Sequence, residues 1–236
     1  LRRRQRQMCI RDSSKGKREN LKRKKIAIPG FSEMYGTIPD GSVILLLGEP
    51  GSGNDIFALQ ALYSHALENG KVAYLTADTY PEDIIEEMQA YGWDYNKVKS
   101  TWKFIDAYST RNIKEKVEEL ITYAREGYWT TIDTITKMWE NLSITEIVKI
   151  TRKLREAARE GGGIHFLVAM KGEVDIKDER KIKRIADGLI EFTPLAEHDV
   201  GILRILKMRR RAGNWLTIPY RITQRGIEIE TTMHIV

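Results

Sequence analysis

The chain has 236 residues, 42% of them hydrophobic, enough to fill one large core, so one domain with peripheral additions is the expected organisation. Its lone Cys9 excludes an internal disulfide, and four scattered histidines leave no Cys and His cluster at the spacing of a structural zinc site. No run of eighteen apolar residues could span a bilayer, the N-terminus lacks the apolar stretch of a secretory signal, and the cytoplasm is the expected compartment.

The net charge of +6 is unevenly spread. Residues 1–25 carry twelve Lys or Arg against two acidic groups, a net of +10, which leaves residues 26–236 at −4. A basic arm such as Lys22-Arg23-Lys24-Lys25 is able to grip phosphates in a salt-dependent way, but a solubilising tail explains the charge equally, and nucleic acid is not the expected partner. The string from Arg4 to Ser13 resembles a translated sequencing adaptor, so the native chain is expected to begin after it or to have lost its true start. Residues 1–25 are therefore set apart as a tail and residues 26–236 as the folded domain.

In chain order, the first strong element is the apolar run Val43-Ile44-Leu45-Leu46-Leu47, a buried strand. It runs into Gly48-Glu49-Pro50-Gly51-Ser52-Gly53-Asn54-Asp55, followed by a hydrophobic helix from Ile56 to Asn69. This strand, glycine turn and helix outline a phosphate-binding loop, whose pattern G-x-x-x-x-G-K-[ST] calls for lysine at 54 and a hydroxyl at 55. Neither is present. The glycines are still able to turn backbone N–H groups and a helix N-terminus toward an anion, whereas Asp55 presents a carboxylate where a phosphate would lie.

Beyond the loop, strands and helices alternate. Val72–Leu75 is a strand, Pro81 opens a helix with Glu82 and Asp83 in its first turn, and Gly92 closes it. Lys103–Asp106 is a strand, Asn112 caps a charged helix reaching Glu126, and Tyr128–Ile132 is again strand-like. Ser143 and Glu146 form a capping box; Ile147, Ile150, Leu154 and Ala158 repeat at helical spacing behind it until Gly161-Gly162-Gly163. Ile164–Met170 reads as a strand covered on both faces. Then the pattern changes: Gly188–Phe192, Gly201–Met208, Trp215–Ile222 and Gly226–Glu230 are strands with no helix between the last three, which predicts antiparallel additions to an otherwise parallel sheet.

From about Ile26 to Ile229 the sequence resembles the KaiC-like branch of the RecA ATPase superfamily, single-domain members of which occur widely in archaea. The resemblance rests on Ile28-Pro29-Gly30-Phe31 with Gly36-Thr37-Ile38-Pro39-Asp40-Gly41 ahead of the loop, on Pro81-Glu82-Asp83, Gly92-Trp93-Asp94, Phe104-Ile105-Asp106-Ala107, Ile132-Asp133-Thr134 and Lys207-Met208-Arg209. It implies an α/β RecA-like P-loop fold, a central, mainly parallel sheet flanked by helices with antiparallel C-terminal strands. It also implies a homo-oligomer or an assembly with paralogous KaiC-like subunits, and ATP or ADP with Mg²⁺ as the ligand of an intact member.

Carried over position by position, the resemblance gives Gly48, Gly51, Ser52, Gly53, Asn54 and Asp55 as the nucleotide loop and Asp133 as the magnesium-side aspartate. Asp78 and Thr79 stand at the water-activating pair. Lys207 and Arg209 stand where the family reaches a neighbouring subunit's γ-phosphate. Asp78 is one methylene short, Thr79 is no base, and the loop has lost its cation and hydroxyl, so three separate parts of phosphoryl transfer are altered together. The expectation is a non-hydrolysing regulatory or assembly subunit with no certain cofactor, ATP or ADP with Mg²⁺ being the candidate. The alternatives are a slow ATPase taking its cation from Lys71, Lys171 or a neighbour's Lys207, and a nucleic-acid module using the tail with Arg209-Arg210-Arg211. His65 and His165 are expected to be structural, and the five tryptophans to anchor core and interface.

Overall fold

The computed structural model describes residues 22–110, 112–195, 200–213 and 215–231. The adaptor-like string and most of the basic tail lie outside them. Strands β1 (Arg23–Lys24) and β2 (Ile38–Pro39) form a small antiparallel ribbon around the short helix α1 (Phe31–Tyr35). The chain then enters β3 (Ser42–Gly48), α2 (Asn54–Leu67), β4 (Val72–Thr76), α3 (Pro81–Ala90), β5 (Trp102–Asp106), α4 (Ile113–Arg125) and β6 (Trp129–Asp133). The second half holds α5 (Ile135–Met138), α6 (Ile144–Gly161), β7 (Ile164–Met170), α7 (Ile176–Ile185), β8 (Gly188–Pro194), β9 (Val200–Met208), β10 (Leu216–Thr223) and β11 (Gly226–Ile229).

Nine strands make one sheet in the order β11-β10-β9-β8-β3-β7-β6-β4-β5. From β8 to β5 every pairing is parallel; β9, β10 and β11 are added antiparallel, as the loss of intervening helices predicts. This is the RecA-type P-loop architecture. Because side chains alternate along a strand, the all-apolar β3 feeds both faces: Ile44 and Leu46 pack with Phe57 and Phe166 under α1, α2 and α3, while Val43, Leu45 and Leu47 pack with Leu120, Leu154 and Ile182 under α4, α6 and α7.

The local signals set the helix ends. Ser143 accepts from the Glu146 N–H, and the Glu146 carboxylate accepts from the Ser143 N–H at 2.8 Å, so the predicted capping box fixes the start of α6. Asn112 caps α4 through Glu115. Asp187 joins the layers: Arg155 of α6 grips it with two nitrogens (Nη2 to Oδ1 at 2.8 Å, Nε to Oδ2 at 3.1 Å), and the Val43 N–H of β3 donates to it at 3.3 Å. Helix α7 was not anticipated. Only Ile182 of its ten residues is buried, and seven of the ten are charged.

Candidate functional site

The parallel strands all end at the same edge, and β3, β4, β6 and β7 deliver Gly48, Thr76, Asp133 and Met170 there. The loop after β3 keeps a tight turn. Ser52 N donates to Glu49 O at 3.0 Å, Gly51 and Gly53 sit at φ 77° and 74°, and Phe57 N donates to Gly53 O at 2.9 Å as α2 begins. Positive φ is what requires glycine at 51 and 53. Gly48 is required for space, since a Cβ there would strike the side chains of Ser52 and Asn54. The C-terminal hairpin closes over the loop: the buried Tyr220 hydroxyl donates to Ser52 O at 2.5 Å, and Ile222 lies against Gly53.

Asn54 is 1% exposed and points inward. Its Nδ2 donates to Leu46 O at 3.3 Å and Ala169 O at 3.0 Å, and its Oδ1 accepts from Ser52 Oγ at 3.4 Å, so the amide ties β3 to β7 beneath the loop. Asp55, half-buried, folds back on its own helix, with Oδ1 accepting from Ile56 N at 2.8 Å. The carboxylate thus sits at the positive end of α2, where a bound anion would sit.

Asp133 ends β6 opposite Thr76 of β4, is 6% exposed, and accepts a hydrogen bond from the Tyr74 hydroxyl. Its peptide bond to Thr134 is cis. Burial pushes its carboxyl up to about 8; the Tyr74 bond pulls the other way, and Asp55, Asp78 and Glu87 add to the rise. Glu87 of α3, which sequence reasoning missed, is raised to about 7 by burial and by Asp55. It is one of four acids on that helix, and nothing in its spacing sets it apart. Asp78, near the surface, is also raised, by burial first and then by Asp55 and Glu173 against a pull from Lys137. Thr79 is engaged elsewhere: its hydroxyl donates to Asp83 Oδ2 at 2.6 Å within the cap of α3. Asp55, Asp78 and Glu87 thus lie within electrostatic reach of Asp133.

Lys171 and Lys137, near this edge, are each committed to a carboxylate. Lys171 follows β7, its N–H donates to Gly48 O at 2.8 Å, and its ammonium pairs with Glu191 at 3.2 Å. Lys137 pairs with Glu140 at 2.8 Å. Lys207 and Arg209 lie at the opposite end of the sheet, beside the start of β8, and turn to the end of α7: Lys207 Nζ donates to Lys183 O and Arg184 O at 2.9 Å each and to Ala186 O at 2.5 Å, and Arg209 donates to Arg184 O at 3.1 Å. Burial, with Arg209 beside it, lowers the Lys207 pKa to about 8. Lys71 lies at the opposite end of β4, over the Tyr128 ring, and cannot serve the loop.

Other sequence candidates are structural. Arg210 donates to Asp40 O and Gly41 O, and Arg211 donates to Thr37 O and stacks on Tyr35 at 3.6 Å, so the arginine run is spent on the chain itself. His165 is buried against Thr130 and Gly162 O, and His65 stacks on Trp129. Trp93, Trp102 and Trp129 are core residues and Trp139 packs beside the core; Trp215, at 81% exposed, is not.

A parallel sheet carrying a glycine loop into a helix, with an aspartate two strands away, defines a RecA-type P-loop protein. The family model described as "ATPase: KaiC" matches residues 24–233, and the chain belongs to that family. A UPF0273 protein from Thermotoga maritima is 24% identical over 89% of this chain and 96% of its own length. The UPF0273 protein of Methanocaldococcus jannaschii is 40% identical over a stretch that is only 38% of either chain. The circadian clock oscillator protein KaiC of Synechococcus elongatus is 26% identical over 86% of this chain, which spans 43% of that longer protein. Among solved structures, a KaiC-like protein from Pyrococcus horikoshii shares the fold with a TM-score of 0.74, at 24% identity, over 89% of this chain and 99% of that one.

Proposed function

We propose that the chain is a non-hydrolysing member of the KaiC family, a regulatory or assembly subunit that oligomerises with its own copies or with paralogous subunits. The observation that carries this reading is the state of the loop. Its backbone suits an anion, but Asn54 is buried in carbonyl contacts, Asp55 sits at the head of α2 with Asp133 in electrostatic reach, and Lys171 is paired with Glu191. These side chains do not fit a triphosphate with magnesium. Phosphoryl transfer rests on positioning and on positive charge around the γ-phosphate, and here the local charge opposes it. Asp78, Thr79, Lys207 and Arg209 are accordingly read as structural remnants, with residues 26–236 as one domain behind a tail.

Calorimetric titration of ATP and ADP into the full chain, with and without Mg²⁺, tests the reading. The expected dissociation constant is weaker than about 100 μM, or roughly −5.5 kcal/mol. Submicromolar affinity, or turnover abolished by Asp133→Asn, would overturn it. One observation favours a second reading, a slow ATPase: Lys171 is anchored to Gly48 O and needs only to leave Glu191 to approach the loop. Turnover that disappears in Lys171→Met would select that alternative.

A further inference from the structure

We propose that the edge of the sheet opposite the glycine loop binds single-stranded nucleic acid, gripping its phosphates with fixed guanidiniums and stacking a base on Trp215. The inference goes beyond the proposed function and does not rest on it, since no residue of the loop takes part. Two basic segments from opposite ends of the sequence meet on this edge. Strand β9 ends there beside the starts of β8 and β3, and the ribbon of β1 and β2 lies just ahead of β3.

Asp40 is the joint between them. Its N–H donates to Lys22 O at 2.9 Å, and its carbonyl accepts from Arg210 Nη1 at 2.9 Å. Arg210 Nη2 also donates to Gly41 O at 2.8 Å and Ser42 Oγ at 3.1 Å, which holds Arg210 at φ 63°, a backbone conformation rare for any residue but glycine. Arg211 lies over the Tyr35 ring at 3.6 Å, and Arg23 of the ribbon acts electrostatically on that same tyrosine. These contacts end on neutral carbonyls, a hydroxyl and a ring, so they fix the guanidiniums without cancelling their charge. The Asp40 carboxylate is turned to the Gly163 N–H at 2.7 Å. Among the described residues, none of Lys22, Arg23, Lys25, Arg209, Arg210 and Arg211 lies in an ion pair.

The class of partner follows from this chemistry. Guanidiniums held in place suit phosphate oxygens, which they meet two at a time. The sequence leading into the ribbon adds to the field: residues 14–25 hold seven Lys or Arg against Glu19, a net of +6 even without the adaptor-like string. Trp215 stands in the same β9–β10 connection as Arg209–Arg211 and is 81% exposed. Charge that tracks a backbone, joined to an aromatic face open to solvent, is the combination that single strands use, because each unpaired base offers a face to stack. A duplex, an acidic peptide and a lipid headgroup match the charge and leave the indole without a base.

The test is fluorescence anisotropy of end-labelled oligo(dT) and oligo(U), each about 20 nucleotides long, titrated with the full chain across a series of NaCl concentrations. Saturable binding in the micromolar range is expected at low salt, falling with a slope of about −2 to −4 in log K against log salt. Lys22→Gln with Lys25→Gln, both exposed, should flatten that slope by roughly 1.4. Trp215→Ala should weaken binding at least about fivefold and leave the slope unchanged. Arg210→Gln should weaken binding and flatten the slope by roughly 0.7; if that variant fails to fold, Trp215→Ala decides alone. No saturable binding, or binding that Trp215→Ala leaves unchanged, overturns the inference. So does equal affinity for a duplex, or displacement at equal charge by polyglutamate or by anionic phosphatidylserine vesicles.

Discussion

Asn54 and Asp55 concentrate the difference between a loop that keeps its shape and one that keeps its chemistry. Replacing both, Asn54→Lys with Asp55→Thr, installs a cation and a hydroxyl and removes one carboxylate. ATP affinity should rise more than tenfold, or over roughly 1.4 kcal/mol, read by calorimetry. Hydrolysis should still lag, because Thr79 is tied into the α3 cap. Adding Thr79→Glu with Asp78→Glu should bring turnover closer to that of an intact relative. A double variant that binds no better than wild type would show that the backbone no longer cradles phosphate.

His165 gives a pH prediction at the same scale. Burial lowers its pKa to about 4, so it is neutral in the folded chain while the unfolded chain titrates near 6.5. The folded pKa is the lower one, so its contribution is complete above about pH 6.5 and is lost as pH falls toward 4, at up to about 1.4 kcal/mol per pH unit. Asp133 and Glu87, whose folded pKa values are raised, strengthen folding over the same range, so the His165 share is read as a difference: the urea midpoint of His165→Asn should gain on that of the wild type as pH falls from 7 to 5. At this scale the sequence exposed the altered loop residues, since they break a fixed pattern. It hid Glu87, and it hid where Asn54 points, because both depend on neighbours distant in the chain.

Element ends show how a single side chain can serve a helix it is not part of. Lys207, on β9, caps the last carbonyls of α7 and satisfies three acceptors at once. Lys207→Met should therefore lower stability by about 1–3 kcal/mol in the isolated chain, measured by urea unfolding. No change would return Lys207 to a role across a subunit boundary. Helix starts were legible because Ser143, Glu146, Asn112 and Pro81 act on residues three or four positions away. Helix α7 was not, since seven of its ten residues are charged and its hold comes from β9 and from Ile182.

At the scale of the molecule, the switch from parallel to antiparallel strands was legible, because a missing crossover helix leaves only a hairpin. The order of strands was not, since β4 and β8 lie far apart in the sheet for reasons of packing alone. Asp187 shows what holds this order: it is 4% exposed and joins α6 to β3. Removing Arg155 alone leaves that charge buried without its partner, so Arg155→Met should cost about 3–5 kcal/mol by urea unfolding, while Asp187→Asn with Arg155→Met should cost less than the sum of the two single changes.

The hairpin over the loop also sets a timetable. Tyr220 meets Ser52 across 168 positions, and Gln60 meets Ile227 across 167, so the loop motif is completed only by residues made long after it. Contacts of such long range form late and slow folding. A nascent chain halted before β10 would carry β3, α2 and their apolar faces without the strands that close them, a species inclined to aggregate or to recruit a chaperone.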